Sequence, residues 1–324
     1  MKPQSYDSDY PFIREISSPI TKHQLRPLDR RCEVVQFSDP LTDRDFKKLS
    51  DFMRSYPNVE LRIYGHDKTE PDLNFLRHFG FVRHLRLDAY TVQDFDGLAF
   101  ASADLQSLGI GATKSKRHSL SFLERFRKLR TLQLEGQTKD IDVVGRLNKL
   151  GQLDLRSITL PDLSVLTPLK SLLSLSIKLG GTRNLELLAR IGRLRYLELW
   201  RILGLSDVSA VAGVKTLQFL FLEALKNVKQ LPSFAPLKKL RRVHLESMKG
   251  ITDLRAVAAA PALEELFLGS MSSLKVEAIK PFRRHPALRR AWLDMGSWKK
   301  LRAAEGLLGL PDTAYVKADD FVFK

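Results

Sequence analysis

Between Leu194 and Leu293 one short phrase of apolar and polar positions is written five times: LRYLELWRI, LQFLFLEAL, LRRVHLESM, LEELFLGSM and LRRAWLDMG. Each copy places an apolar residue, two variable residues, an apolar residue, one variable residue and a further apolar residue. The last two apolar positions alternate with variable ones, which is the period of a strand with one buried face. Along the chain, the second apolar position falls at Leu61, Leu85, Leu108, Leu132, Leu153, Leu175, Leu197, Leu220, Val243, Leu266 and Ala291, with a mean interval of 23 residues. Self-similarity at so fixed a period predicts stacked coils that each add one strand to a parallel sheet. About 23 residues per coil leave little room for a full helix after the strand, so short 3₁₀ or α turns are expected on the opposite side.

A second phrase recurs between strands, in ITLPDLSVL, LGLSDVSAV and KGITDLRAV. It sets Asp162, Asp207 and Asp253 where a carboxylate can accept the free N–H groups that open a helical turn. Asn184 stands to do the same for a longer helix. These phrases resemble the leucine-rich repeat superfamily, and the Asp-bearing turn is similar to the internalin-type repeats of bacterial proteins, over roughly residues 59–295. The resemblance implies an α/β leucine-rich repeat solenoid, with a curved parallel β-sheet on the concave face and short 3₁₀/α turns on the convex face. It also implies a non-enzymatic scaffold for protein–protein interaction.

One departure concerns the corner. The asparagine usual five residues past the second strand leucine is replaced by His66, Tyr90, Thr113, Gln137, Ile158, Gly180, Ile202, Leu225, Met248, Met271 and Gly296. Apolar packing and backbone hydrogen bonds are expected to take over there. The N-terminal stretch shows no signal-peptide pattern and no wall anchor is evident, so the surface-adhesion role of internalins is not implied.

Outside the repeats, residues 1 to about 31 carry prolines and no period, and read as an irregular lead-in. Val34, Val35 and Phe37 predict a strand, and the apolar spacing from Asp43 to Ser55 predicts a helix ending before Pro57. This gives three segments: lead-in and N-terminal cap over 1–58, about eleven repeat strands over 59–296, and a C-terminal cap over 297–324. The last comprises a basic helix from Trp298 to Leu308, a turn at Leu310-Pro311-Asp312, and apolar residues in TAYVK and FVF.

If the leucines face the core, the alternate residues face outward. In the middle strands these are small or polar: Ser107, Gly109, Gly111, Thr131, Gln133, Ser174 and Ser176. Later strands present Tyr196, Trp200, Phe219, Phe221, His244, Phe267 and Trp292, with Arg242 and Arg290 between them and Glu198, Glu223, Glu246, Glu265 and Asp294 as a border. Clustered rings with arginine and a charged rim are the composition of protein interfaces, which makes this the expected partner-binding surface. Stacked rings that merely stabilise the sheet are the alternative.

Charge adds a second candidate. Lysine and arginine number 53 against 37 acids, a formal +16 among 324 residues. Lys128, Arg130, Arg193, Arg195, Lys239, Arg241 and Arg289 flank the first apolar strand position and predict a basic rim. Such a rim can track nucleic acid or another acidic partner, or simply discourage aggregation.

Candidate chemistry changes little. The seven histidines form no HExxH, one cysteine allows no zinc spacing, and GIGATKSKRH lacks the phosphate-loop spacing GxxxxGK[ST]. No catalytic, metal or cofactor-binding residues are assigned, which leaves an enzyme with a site in a terminal cap, around Cys32 for example, as the third reading. No stretch approaches the roughly 18 apolar residues of a membrane span, and a single cysteine fits a cytoplasmic protein.

Overall fold

The alternation that places leucine at every second strand position makes each coil bury one side of its strand. The eleven second apolar positions are the measure of this, since none is more than 1% exposed. The computed structural model describes residues 12–65, 70–310 and 320–324. The chain divides into two compact units, Met1–Leu150 and Gly151–Lys324.

In the first unit, β1 (Ile13–Glu15), β2 (Val34–Phe37), β3 (Glu60–Gly65), β4 (His84–Ala89), β5 (Ser107–Ile110) and β6 (Thr131–Glu135) pair in parallel, each with its neighbour in sequence. Leu61, Leu85, Leu108 and Leu132 stand side by side across β3 to β6. The helix α1 (Asp43–Met53) follows β2, and Thr42 caps it by accepting from the Asp45 N–H. Its Phe46, Leu49 and Met53 are buried. The lead-in is less irregular than expected, because β1 adds an outer strand to β2. Short 3₁₀ turns at Leu73–His78, Asp96–Phe100, Ser121–Arg125 and Ile141–Arg146 lie behind the strands.

The second unit repeats the scheme with β7 (Gln152–Arg156), β8 (Ser174–Lys178), β9 (Tyr196–Trp200), β10 (Phe219–Glu223), β11 (Arg242–Glu246), β12 (Glu265–Gly269) and β13 (Arg290–Leu293). Leu153, Leu175, Leu197, Leu220, Val243, Leu266 and Ala291 form one row across these strands. The backs of the coils are again short: 3₁₀ turns at Ser164–Leu166, Glu186–Arg190, Ser209–Gly213 and Val276–Phe282, and the single-turn α2 (Arg255–Ala258). Asp162, Asp207 and Asp253 accept from the N–H groups of Ser164, Ser209 and Arg255 at 2.7, 2.7 and 2.8 Å. Asn184 accepts from Glu186 at 3.0 Å, but the turn it opens is a five-residue 3₁₀ segment rather than the longer helix expected. The basic helix appears as α3 (Trp298–Leu308), while the TAYVK stretch and Pro311-Asp312 lie outside the described residues.

The corners after the strands differ from expectation in one unit. In the first, Gln137 is fully buried and works as an asparagine would. Its amide donates to the Gly111 carbonyl and to Thr113 Oγ1, both at 3.0 Å, and accepts from the Glu135 N–H. In the second, the residue before the corner is left-handed after each of β7 to β12: Ser157, Leu179, Arg201, Ala224, Ser247 and Ser270, with φ between 48° and 56°. That conformation costs an L-residue about 1–2 kcal/mol. It aims the backbone N–H of the first five at the next strand, with Ser157, Leu179, Arg201, Ala224 and Ser247 donating to Lys178, Trp200, Glu223, Glu246 and Gly269 carbonyls at 2.8–2.9 Å. Here the expected substitution of backbone bonding and apolar packing holds: Ile158, Ile202, Leu225, Met248 and Met271 are all buried.

Candidate functional site

On the outward side of β9 to β13 the register arranges the side chains in three rows. The first runs Tyr196, Phe219, Arg242, Glu265, Arg290; the second Glu198, Phe221, His244, Phe267, Trp292; the third Trp200, Glu223, Glu246, Gly269. The expected rings therefore share one face, though across three rows and with unequal access.

The middle of the first row is covered. Phe219 and Arg242 are 1% and 2% exposed, and Phe267 in the second row is 1% exposed. The chain's own segment 320–324 lies over Phe219 and Arg242. Phe321 stands edge-on to Phe219 at 5.3 Å, and the Arg242 guanidinium lies 5.0–5.1 Å from the rings of Phe219, Phe267 and Phe321. A buried guanidinium needs a counter-charge. Glu265 provides it, bonded to Arg242 and held from the other side by Arg290 at 3.2 Å.

The second row is half open. Phe221 stacks on His244 at 4.2 Å, and His244 leans on Phe267 at 5.8 Å. Burial and the nearby Arg242 push the imidazole down to about 4, so it is neutral at physiological pH. Glu246 lies 3.2 Å from its Nε2, yet that atom has no hydrogen-bond partner among the described residues. Phe221 and Trp292 are half-buried.

The acids do not behave alike. Glu198 is fully engaged: it accepts from Ser176 at 2.8 Å and Tyr196 at 3.2 Å and pairs with Lys178 at 3.1 Å. Lys178 also binds Asp154 at 3.0 Å, and although burial opposes its charge, these two carboxylates raise its pKa. Glu223 and Glu246 face each other on adjacent strands with no Lys or Arg ion pair among the described residues. Burial, then Glu246 and Glu198, push the Glu223 carboxyl up, against the Trp200 indole and Lys178. Trp200 itself is half-buried, with the Arg156 guanidinium 5.3 Å from its ring centre.

The basic-rim residues fall in both units. Lys128 pairs with Asp104 at 2.7 Å, and Arg241 with Glu264 at 2.8 Å. Arg130, Arg193, Arg195, Lys239 and Arg289 are exposed and make no ion pair among the described residues. Gln218 and Glu264 occupy the positions equivalent to Arg195 and Arg241 on their own strands, so the rim of the second unit is not uniformly basic. What sequence reasoning missed is Phe321, an apolar residue with no period to place it.

No family model matches the chain, and no curated protein matches it. Among solved structures, it is similar to an internalin (inlF) from Listeria monocytogenes, with a TM-score of 0.60 and 19% identity over 94% of this chain and 86% of that one. The fold is a leucine-rich repeat solenoid. A leucine-rich repeat protein of Leptospira interrogans superposes with a TM-score of 0.51 and 17% identity, covering 87% of this chain and 90% of its own. The TLR13–ssRNA13 complex gives 0.52 and 19%, over 84% of this chain and 44% of that one. Among the described residues of this solenoid, no helix is long and apolar enough to cross a membrane, and no three metal-ligating side chains gather.

Proposed function

We propose that this solenoid is a non-catalytic scaffold that binds a protein partner on the outward face of β9 to β13. Residues 1–58 and 297–324 serve as end caps in this reading, and a cytoplasmic location belongs to it. The observation that carries it is the pairing of half-open rings with under-neutralised acids. Trp200 and Phe221 stand beside Glu223 and Glu246, with Trp292 further along the same face on β13, and Glu223 is held in a medium that resists its charge. A partner presenting arginine would meet both needs, since a guanidinium stacks on rings and pairs with carboxylates. Tyr196 lines the same face, while Phe219, Arg242, His244, Phe267 and Arg290 support it from below.

The test replaces Trp200 and Phe221 together by alanine and measures affinity for the captured, purified partner beside the melting temperature. Affinity should fall at least about tenfold, with little change in melting because both rings lie outside the core. Equal affinity would reduce the rings to a sheet-stabilising ladder. A polyanion on the basic rim is the second reading, supported in the second unit by Arg193, Arg195, Lys239 and Arg289, exposed cations without an ion pair among the described residues. It requires steep loss of binding between about 0.05 and 0.5 M salt, whereas ring-centred binding changes little.

A further inference from the structure

The segment 320–324 does more than shield an apolar row. Gln218 is buried, and its side-chain amide reads both backbone groups of Lys324: Nε2 donates to the carbonyl at 2.6 Å and Oε1 accepts from the N–H at 2.9 Å. Arg241 donates to the Val322 carbonyl at 2.8 Å, and its guanidinium lies 5.1 Å from the Phe321 ring. Lys324 Nζ approaches Glu264 at 3.4 Å. One ring is thus held by Phe219 and two guanidinium groups, and the main chain beside it by side chains rather than by a strand ladder. Side chains that read main chain in this way accept any sequence there, so selectivity rests on the ring. The remainder of the segment is solvent-facing, with Val322 75% exposed and Phe323 41% exposed.

We propose that Gln218, Phe219, Arg241 and Arg242 form a peptide-binding ledge for an extended segment bearing phenylalanine, and that Phe321–Lys324 occupies it as an internal ligand which such a peptide displaces. The proposal rests on the reading of this face as a binding face, but extends it to a row that the Trp200 and Phe221 substitutions leave alone. Occupancy by a segment of the same chain gives a high effective concentration, so an external peptide competes poorly until the internal ring is removed.

The experiment uses the full chain and a fluorescein-labelled peptide with the sequence of residues 320–324. The Phe321→Ala chain should bind it at least about tenfold more tightly than the unmodified chain. Adding Gln218→Ala, or changing the first phenylalanine of the peptide to alanine, should abolish most of that binding. A Phe321→Ala chain that melts normally and binds no peptide overturns the proposal. Should Phe321→Ala fail to fold, 4-fluorophenylalanine placed only at position 321 of the unmodified chain decides: excess peptide must shift its fluorine signal toward that of the free segment. A signal unmoved at saturating peptide makes the segment a fixed structural plug. Because the probe is synthetic, its failure leaves the partner test of Trp200 and Phe221 standing.

Discussion

The two units meet the same demand at their corners with different means. Every coil leaves backbone donors and acceptors inside the turn, and leaving one unpaired costs about 1–3 kcal/mol. In the first unit a single buried amide, Gln137, serves Gly111, Thr113 and Glu135 at once. In the second, backbone strain replaces the side chain: a left-handed non-glycine residue recurs after each of β7 to β12. The amide solution is specific and local, whereas the strained backbone can be repeated with serine, leucine, arginine or alanine. The outward faces differ in parallel. On β3 and β4, Arg62 and Arg86 both bind Asp88 at 2.7 Å, so the carboxylate there is fully answered by cations. On β9 to β13, Glu223 and Glu246 have no such answer among the described residues.

The largest effect should come from Gly180, the corner residue of the β8 coil. A Cβ there would lie 2.0 Å from the Ile158 carbonyl oxygen, a backbone atom that cannot step aside. Gly180→Ala should destabilise the second unit by about 3 kcal/mol, a drop of roughly 10 °C in melting temperature by calorimetry. An unchanged melt would mean that the corners of that unit are loosely packed. Next is Gln137→Ala in the first unit, which strands the groups its amide serves and should cost about 2 kcal/mol. The apolar exchange Met248→Leu at the matching corner of the second unit should cost under about 1.5 kcal/mol. Equal losses in chemical denaturation would erase the distinction between the two solutions.

The smallest effect sharpens the contrast between faces. A carboxyl with a raised pKa adds stability below its ordinary value and loses it as pH rises through the folded value. Glu223 therefore weakens the fold at neutral pH, and Glu223→Gln should melt about 1 °C higher at pH 7. The gain should close below about pH 4.5. A gain that persists in acid would assign the effect to packing rather than to charge.

The strand register was legible because the apolar period is long and each leucine reports the same buried row; Leu153 to Ala291 needed no tertiary information. The aspartate-capped turns were legible for the same reason, as a local hydrogen bond has a local signature. What escaped was either short or distant. With three residues, β1 shows no period. The left-handed corners fall on Leu179 and Ala224 as readily as on serine, without the glycine or asparagine that usually marks such a backbone. The docking of 320–324 joins residues 106 positions apart, and it sets Phe321 against Phe219. The outward direction of Phe219 could be read from alternation; its cover could not.

The left-handed residue at each corner also gives the array a grammar. After β7 to β11 its N–H points forward, from one coil to a carbonyl of the next, as from Ser157 to Lys178 and from Ser247 to Gly269, and after β12 the Ser270 N–H reaches the Asp294 carboxylate instead. Each coil is thus a sentence completed by its successor. Removing a coil from the front leaves a carbonyl with a spare lone pair, which buried structure tolerates, whereas removing one from the back leaves an N–H with no acceptor, which it rarely does. Shortening this protein from its two ends is therefore not the same operation, and coils are better added or removed at the start of the second unit than at its close.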